Sequence, residues 1–375
     1  MQIPVSKLYI PEASKKYAYD AIDSTWISPS GKYGPMAVEM LRDILGIKYV
    51  ILTNSGTSAL HLVSKCLAHK HPRRIKLIVP NNVYVSCWNC FIYDDNFLLL
   101  PIDSDLDTWN FNITEHENTI NYWSQSILVV HNYGNIINVP DLKRRFPNVP
   151  IVEDNCEGFG GKYEGKEAGT EALCSSISFS RSKTFTTGEG GAFITNDEES
   201  YNLAYKLHNR ATTSRKFIHD ELGYNYEITN IAAALLCGQL ENYDGLLNRK
   251  HEISQIYRNK LKDLEFVHFQ KSDPDTSPSD WLFGLRIDNT PSYEVTEKFY
   301  LDNSIEVRPM FYPITVHKHL KKFINVHSPN ITNATKLNNE SVILPSFYEI
   351  SDEELNYVVE VTKRFHDSVQ QNKTV

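Results

Sequence analysis

The sequence contains no apolar run approaching the roughly 18 residues that cross a bilayer. Its opening, Met1-Gln2-Ile3-Pro4-Val5-Ser6-Lys7, lacks the long apolar centre of a secretory signal. Both absences predict a cytoplasmic protein with no membrane role. Cysteine is scarce: six in 375 residues do not make a disulfide framework. Cys87 and Cys90 stand at CxxC spacing, but no second pair completes a four-thiolate zinc site, and His131 and His251 are remote in sequence. The pair is read as two thiols buried in a helix, and no metal is expected. Positive charge is thin as well. Net charge is −8, Lys and Arg are scattered, and dense basic runs such as His317–Lys322 are short. That argues against a nucleic-acid partner, which selects a basic stripe.

What the sequence has is length and alternation. Its 375 residues, 41% hydrophobic and 22% charged, are enough for two domains with a sizeable core. Strand-like runs are expected at Tyr49–Thr53, Leu77–Pro80, Phe97–Ile102, Ile127–His131, Ile151–Asp154, Ser176–Ser180 and Ala192–Thr195. Helical stretches separate several of them, at Ser58–Ala68, Val85–Tyr93 and Pro140–Phe146. Several runs are continuous in Val, Ile and Leu, which predicts burial on both faces and a mainly parallel, helix-covered sheet of seven strands. From Asn230 to Leu264 a long helix is expected, bent at Gly245. Beyond the polar loop around Pro274 and Pro278, Trp281–Ile287 reads as a strand, Ser292–Asn303 as a helix and Ile305–Pro309 as an edge strand. A last helix opens at Ser351 with Glu354 three residues on, a capping box. This predicts a large α/β domain over residues 1–245 and a small C-terminal α/β domain over 246–375.

Four places carry chemistry. Asn54-Ser55-Gly56-Thr57-Ser58 follows a strand and opens a helix, so the amides of Gly56 and Thr57 are placed either to cradle a phosphate or simply to cap the helix. Tyr84 follows the strand ending at Pro80, where an aromatic either stacks on a bound ring or packs. Asp154 ends an apolar strand, at the edge where α/β sheets bind ligands; taken alone, helix capping is an equal reading, and Glu153 alternates to the other face. The strongest signal is Ser178-Phe179-Ser180-Arg181-Ser182-Lys183-Thr184-Phe185-Thr186-Thr187-Gly188-Glu189-Gly190-Gly191. A strand ends, a lysine sits in the loop, and a glycine-rich turn leads into the next strand. A Schiff-base lysine, a carboxylate for a ring nitrogen, a phosphate cup and a stacking aromatic are together what pyridoxal phosphate requires.

These residues resemble the DegT/StrS-type sugar aminotransferases, a branch of the fold type I pyridoxal-phosphate enzymes. The resemblance runs along essentially the whole chain. It includes Ser55-Gly56-Thr57, Asp103, His131-Asn132-Tyr133-Gly134, Glu153-Asp154, the Ser178-to-Gly191 block, Gly223-Tyr224-Asn225-Tyr226, Gln239-Leu240-Glu241 and Leu344-Pro345-Ser346. It implies that Lys183 forms the Schiff base and acts as general acid and base, and that Asp154 pairs with the pyridinium nitrogen. It implies further that Tyr84 covers the ring, that Gly56, Thr57 and Ser178 hold the phosphate, and that Asn225 reaches the phosphate of a neighbouring subunit. A homodimer with shared active sites follows from that last role.

Two positions depart from the family pattern. Glu157 stands where Gln is frequent, near the cofactor's ring hydroxyl; a carboxylate there is either protonated or turned aside. Glu227 stands where Arg is frequent, which suggests altered donor or substrate contacts. The segment Val307-Arg308-Pro309-Met310-Phe311-Tyr312-Pro313 resembles the branch that makes perosamine- and viosamine-type sugars. It implies amination at C4 of a nucleotide-linked 4-keto-6-deoxyhexose, with L-glutamate as donor and Arg308 and Phe311 at the substrate. Arg308 is read either as a substrate ligand or as half of a structural ion pair. The competing functions are a C3 aminotransferase, a dehydratase of the same family, against which Lys183 argues because those carry His there, and a non-catalytic cofactor-binding regulator.

Overall fold

Strands apolar on both faces must be covered on both faces, and the chain is layered accordingly. The computed structural model describes residues 2–70, 74–118, 120, 125–324 and 332–371. The first strands are β1 (Tyr49–Thr53), β2 (Ile75–Pro80), β3 (Phe97–Ile102), β4 (Ser126–Val130) and β5 (Ile151–Asp154). A small hairpin, β6 (Lys162–Tyr163) and β7 (Lys166–Glu167), precedes β8 (Ser175–Ser178) and β9 (Gly191–Thr195). Seven of these form one sheet in the order β1-β9-β8-β5-β4-β2-β3. Only β9 runs against its neighbours; the other pairings are parallel. The sheet is therefore the mainly parallel, seven-stranded one expected.

Alternation assigns the faces. Leu77, Val79, Leu128, Val130 and Val152 pack with Leu60, Val63 and Leu67 of the helix Gly56–Lys70. Their neighbours Ile78, Ile127, Val129 and Ile151 face the other way, against Val139 and Leu142 of the helix Val139–Arg145. The parallel strands β4, β5 and β8 thus deliver their C-terminal ends to one edge, where a crevice opens.

The long helical stretch differs from expectation. It is two helices, Asn230–Glu241 and Tyr243–Leu261, and the break falls at Asn242 rather than Gly245. Asn242 leaves helical geometry at φ −105° and ψ 28°. Gly245 is itself helical and gives space to the break, since a Cβ there would lie 2.3 Å from the Asn242 side-chain oxygen. The second helix begins in the core of the large sheet with Leu246 and Leu247 and ends in another core with Ile253, Tyr257 and Leu261.

That second core belongs to an antiparallel sheet. Its strands are β10 (Val267–Phe269), β12 (Gly284–Ile287), β13 (Arg308–Pro309) and β14 (Ser341–Ile343), in the order β10-β12-β14-β13, while β11 (Thr276–Ser277) joins the β6–β7 hairpin. The expected strand Ile305–Pro309 is thus shortened to its last two residues, although it does lie at the edge. Ile305 instead bridges Ile3, which brings the start of the chain into this core. The helix Asp352–Gln371 opens with the expected capping box. The Ser351 amide donates to Glu354 Oε2 at 2.9 Å, and the Glu354 amide donates to Ser351 Oγ at 3.1 Å. Asp103, just after β3, ties the two regions together by accepting the amides of Asn333 and Ala334 at the start of the helix Thr332–Glu340.

Candidate active site

The crevice at the strand ends holds a cavity of about 570 Å³, a size suited to a cofactor with a substrate. Gly56, Thr57, Tyr84, Asp154, Glu157, Ser178, Lys183, Arg308 and Phe311 all line it. Residues from the first to the last third of the chain converge there because β5 and β8 end at it and β13 closes it from the side.

The lysine loop is held in shape by its own backbone. The Lys183 amide donates to the Ser180 carbonyl at 3.0 Å, and the Thr187 and Phe179 amides close the turn onto Phe179 and Gly190. Gly188 turns the chain at φ +82°, and Gly191 lets β9 pass so close to the cup that a Cβ would sit 2.6 Å from the Ser55 carbonyl. The Lys183 ammonium lies 3.7 Å from the centre of the Trp281 ring and 3.8 Å from Glu157 Oε1. Trp281 is fixed in turn by its indole N–H, donated to the Ser182 carbonyl at 2.7 Å. A cation over an aromatic face is stabilised there, so Trp281 sets where the lysine's nitrogen rests.

Asp154 is buried at the floor. Its Oδ1 accepts from the Cys156 amide at 3.0 Å and from Ser176 Oγ at 3.4 Å, and its Oδ2 accepts from Cys87 Sγ at 3.0 Å. Glu153 points to the opposite face, as alternation requires. There it meets His131 Nε2 at 2.9 Å and the Gly169 amide at 3.0 Å in a fully buried cluster.

The cup is built by Ser55, whose Oγ accepts the Ser58 amide at 3.0 Å and so caps the helix Gly56–Lys70. Thr57 Oγ1 lies 3.1 Å from Ser86 Oγ. A capped helix N-terminus beside hydroxyls is an anion site, with dipole and amides favouring the same charge. Asn225 stands outside its own chain's cavity. It is exposed, its carbonyl accepts from Asn54 Nδ2, and its side chain accepts from Arg210, which also pairs with Glu227.

Glu157 is not turned aside. Its Oε2 accepts the Tyr133 amide at 2.8 Å and its Oε1 faces Lys183. Burial pushes its carboxyl up from the ordinary 4.5 to about 7, against the opposing pull of Lys183 and the Tyr133 amide. Between those two values the folded protein binds a proton that the unfolded chain does not. Stability of the cofactor-free protein therefore falls as pH rises from about 4.5 to about 7. Glu157→Gln is expected to remove that slope, on the order of 3 kcal/mol. Urea titrations across this range test it, and an unchanged slope in the variant would assign the proton elsewhere.

Several lining residues have no site role assigned from the sequence, among them Trp281, Arg181, Cys87, Cys156 and Glu189. Tyr133, buried behind the cavity, was visible only as part of a motif. It holds φ +56°, stacks on Phe311 at 5.0 Å, and its hydroxyl accepts the Phe311 amide at 3.0 Å. Among the described residues no cluster of His, Cys, Asp and Glu is arranged to hold a metal ion, and no helix is long and apolar enough to cross a membrane.

Residues 9–363 match the DegT/DnrJ/EryC1/StrS aminotransferase family. The chain belongs to this family. Among its relatives, the GDP-perosamine synthase of Escherichia coli O157:H7 is 31% identical over 367 residues, covering 97% of this chain and 98% of that protein. The GDP-perosamine synthase of Vibrio cholerae is 28% identical over 379 residues, covering 98% and 100%. Among solved structures, Helicobacter pylori PseC, an aminotransferase involved in pseudaminic acid biosynthesis, superposes with a TM-score of 0.91 at 20% identity, covering 98% of this chain and 100% of that one. At that identity the superposition shows the fold, an α/β aminotransferase architecture.

Enzymes of the DegT/DnrJ/EryC1/StrS family use pyridoxal phosphate, and the site fits it. Lys183 lines the cavity, Asp154 supplies a buried carboxylate whose Oδ2 is met, among the described residues, by one thiol, and the helix start at Gly56 could cradle an anion. When bound, the cofactor supplies a carbonyl for the amine and a ring that accepts electrons. Lys183 would contribute the amine and move the proton, its nitrogen resting between Glu157 and the Trp281 ring.

Proposed function

We propose that this aminotransferase transfers the amino group of L-glutamate to C4 of a nucleotide-linked 4-keto-6-deoxyhexose. The observation that carries the reading is that Lys183 shares its cavity with a second cation, Arg308, for which the described residues offer no ion-pair partner. Arg308, from the edge strand β13, lines the cavity, and among the described residues no carboxylate lies within ion-pair distance of it. The ion-pair reading of Arg308 has no partner there, which favours the substrate reading. Phe311, three residues on, stacks on Tyr133 and lies 6.2 Å from the Tyr84 ring, so an apolar wall stands beside the cation. A sugar nucleotide offers the matching features, an anionic diphosphate and a deoxygenated C6 methyl. Sugar hydroxyls exchange water for protein contacts at modest gain, so the diphosphate and base carry much of the affinity. The perosamine-synthase relatives support C4 as the aminated carbon and make a GDP-linked sugar the first to try.

Arg308→Ala is expected to raise KM for the sugar nucleotide about 10- to 100-fold, the loss of one charge-assisted contact, while the glutamate half-reaction keeps its rate. Stopped-flow absorbance with glutamate alone, set beside steady-state assays with a panel of GDP-, UDP- and dTDP-linked keto sugars, separates the two. A failed glutamate half-reaction with intact sugar binding would move Arg308 to the donor's carboxylate and remove this support.

A further inference from the structure

Asp154 has two oxygens, and the protein treats them differently. Oδ1 is engaged by the Cys156 amide and the Ser176 hydroxyl. Among the described residues Oδ2 is engaged by a single side chain, the Cys87 thiol, at 3.0 Å. Both partners of that contact are buried, Cys87 at 3% and Asp154 at 4% exposure. Burial first, and then the adjacent Asp154 carboxylate, push the Cys87 thiol well above its ordinary range. The sulfur therefore keeps its proton and acts as the donor, which a thiolate beside a carboxylate cannot do.

The helix carrying Cys87, Ser86–Ile92, is anchored so that this contact is made in one geometry. Ser86 meets Thr57 Oγ1 at the cup, Cys90 Sγ donates to the Thr57 carbonyl at 3.4 Å, and the Trp88 indole donates to the Pro80 carbonyl at 3.0 Å. The Cys87 amide donates to the Tyr84 carbonyl at 2.9 Å. One short helix thus touches the anion cup, the ring-covering loop and the buried carboxylate.

We propose that Cys87 is a positioning residue for Asp154: its S–H, donated to Oδ2, holds the carboxyl group in one orientation toward the cofactor's ring nitrogen. The thiol is a weak donor, so it orients Oδ2 without competing strongly with a cationic N–H for the same oxygen. The proposal rests on Asp154 as the carboxylate that meets that nitrogen.

The test uses two nearly isosteric replacements, Cys87→Val without a donor and Cys87→Thr with one. The enzyme is stripped of cofactor and titrated back with pyridoxal phosphate, followed by its visible absorbance. Cys87→Val is expected to weaken cofactor affinity about three- to tenfold, the range of a single hydrogen bond, and to lower kcat while KM for both substrates holds. Cys87→Thr is expected to restore both affinity and kcat. Wild-type affinity and kcat in Cys87→Val overturn the proposal. So does a Cys87→Thr variant as impaired as Cys87→Val, since volume rather than a donor would then matter. Should Cys87→Val fail to fold, the S–H infrared stretch decides. It is expected to shift in Asp154→Asn relative to the unsubstituted enzyme, and an unshifted band refutes the contact. Asp154→Asn run in the same titration separates the failures: a fully active Asp154→Asn removes the assignment of Asp154, whereas an impaired one beside a normal Cys87→Val removes only the role of Cys87.

Discussion

Lys183→Ala is expected to lose essentially all turnover together with the visible absorbance of lysine-linked cofactor. Both losses follow from one nitrogen. We propose that this cavity-lining amine forms the covalent link and moves the proton; the Trp281 ring at 3.7 Å and Glu157 at 3.8 Å set its position. Proton transfer by a positioned group is worth roughly 10²- to 10⁴-fold, and loss of the nucleophile removes a further factor. Lys250 is the obvious candidate to substitute, since burial pushes its ammonium down to about 8. It donates to the Ser346 carbonyl and, although it shares a smaller neighbouring cavity with Lys183, it does not line the active-site one. The variant should nonetheless bind the cofactor without covalent attachment, because the Gly56 cup and Asp154 are untouched. Near-wild-type steady-state transamination by Lys183→Ala would refute the assignment.

Asp154→Asn is the second large effect. The amide keeps the shape of the carboxylate and its contacts to the Cys156 amide and Ser176, so the cofactor should still bind. What would be lost is the negative charge that, as proposed, keeps the ring nitrogen protonated while the ring takes up electrons. An interaction that matters mainly as charge develops is worth about 3–4 kcal/mol, which corresponds to roughly 10²- to 10³-fold in kcat. Single-turnover rates with saturating glutamate measure it directly. An unreduced rate would mean that another carboxylate meets the nitrogen, and Glu157 would be the first to examine.

The parts of the molecule legible in the sequence are those whose cause is local. The strand ending at Asp154 is apolar on both faces and stops at a carboxylate, and the capping box at Ser351 and Glu354 is closed by residues three apart. The place of Lys183 in the crevice is legible because its loop, its glycines and the preceding strand form one continuous stretch. What stayed hidden depends on contacts between distant residues. Trp281 reaches Ser182 across 99 positions, and Cys87 reaches Asp154 across 67, with nothing beside either residue to announce the partner. Cys87 and Cys90 are the two thiols buried in a helix that the sequence predicts, but their CxxC spacing does not show that one meets Asp154 and the other Thr57. The helix break was misplaced for a related reason. Glycine is the breaker that the sequence suggests, but the side chain of Asn242 needs the space that Gly245 leaves. Glu157 had two readings from sequence, and only the geometry of Tyr133 and Lys183 around it distinguishes them.

The regiochemistry of the product tests the central claim most directly. The enzyme would be supplied with pyridoxal phosphate, ¹⁵N-labelled L-glutamate and a GDP-linked 4-keto-6-deoxyhexose, and the product examined by NMR. The expected product carries ¹⁵N on C4 of the sugar and retains the C6 methyl. Label at C3, or none transferred to any nucleotide-linked keto sugar, would contradict it.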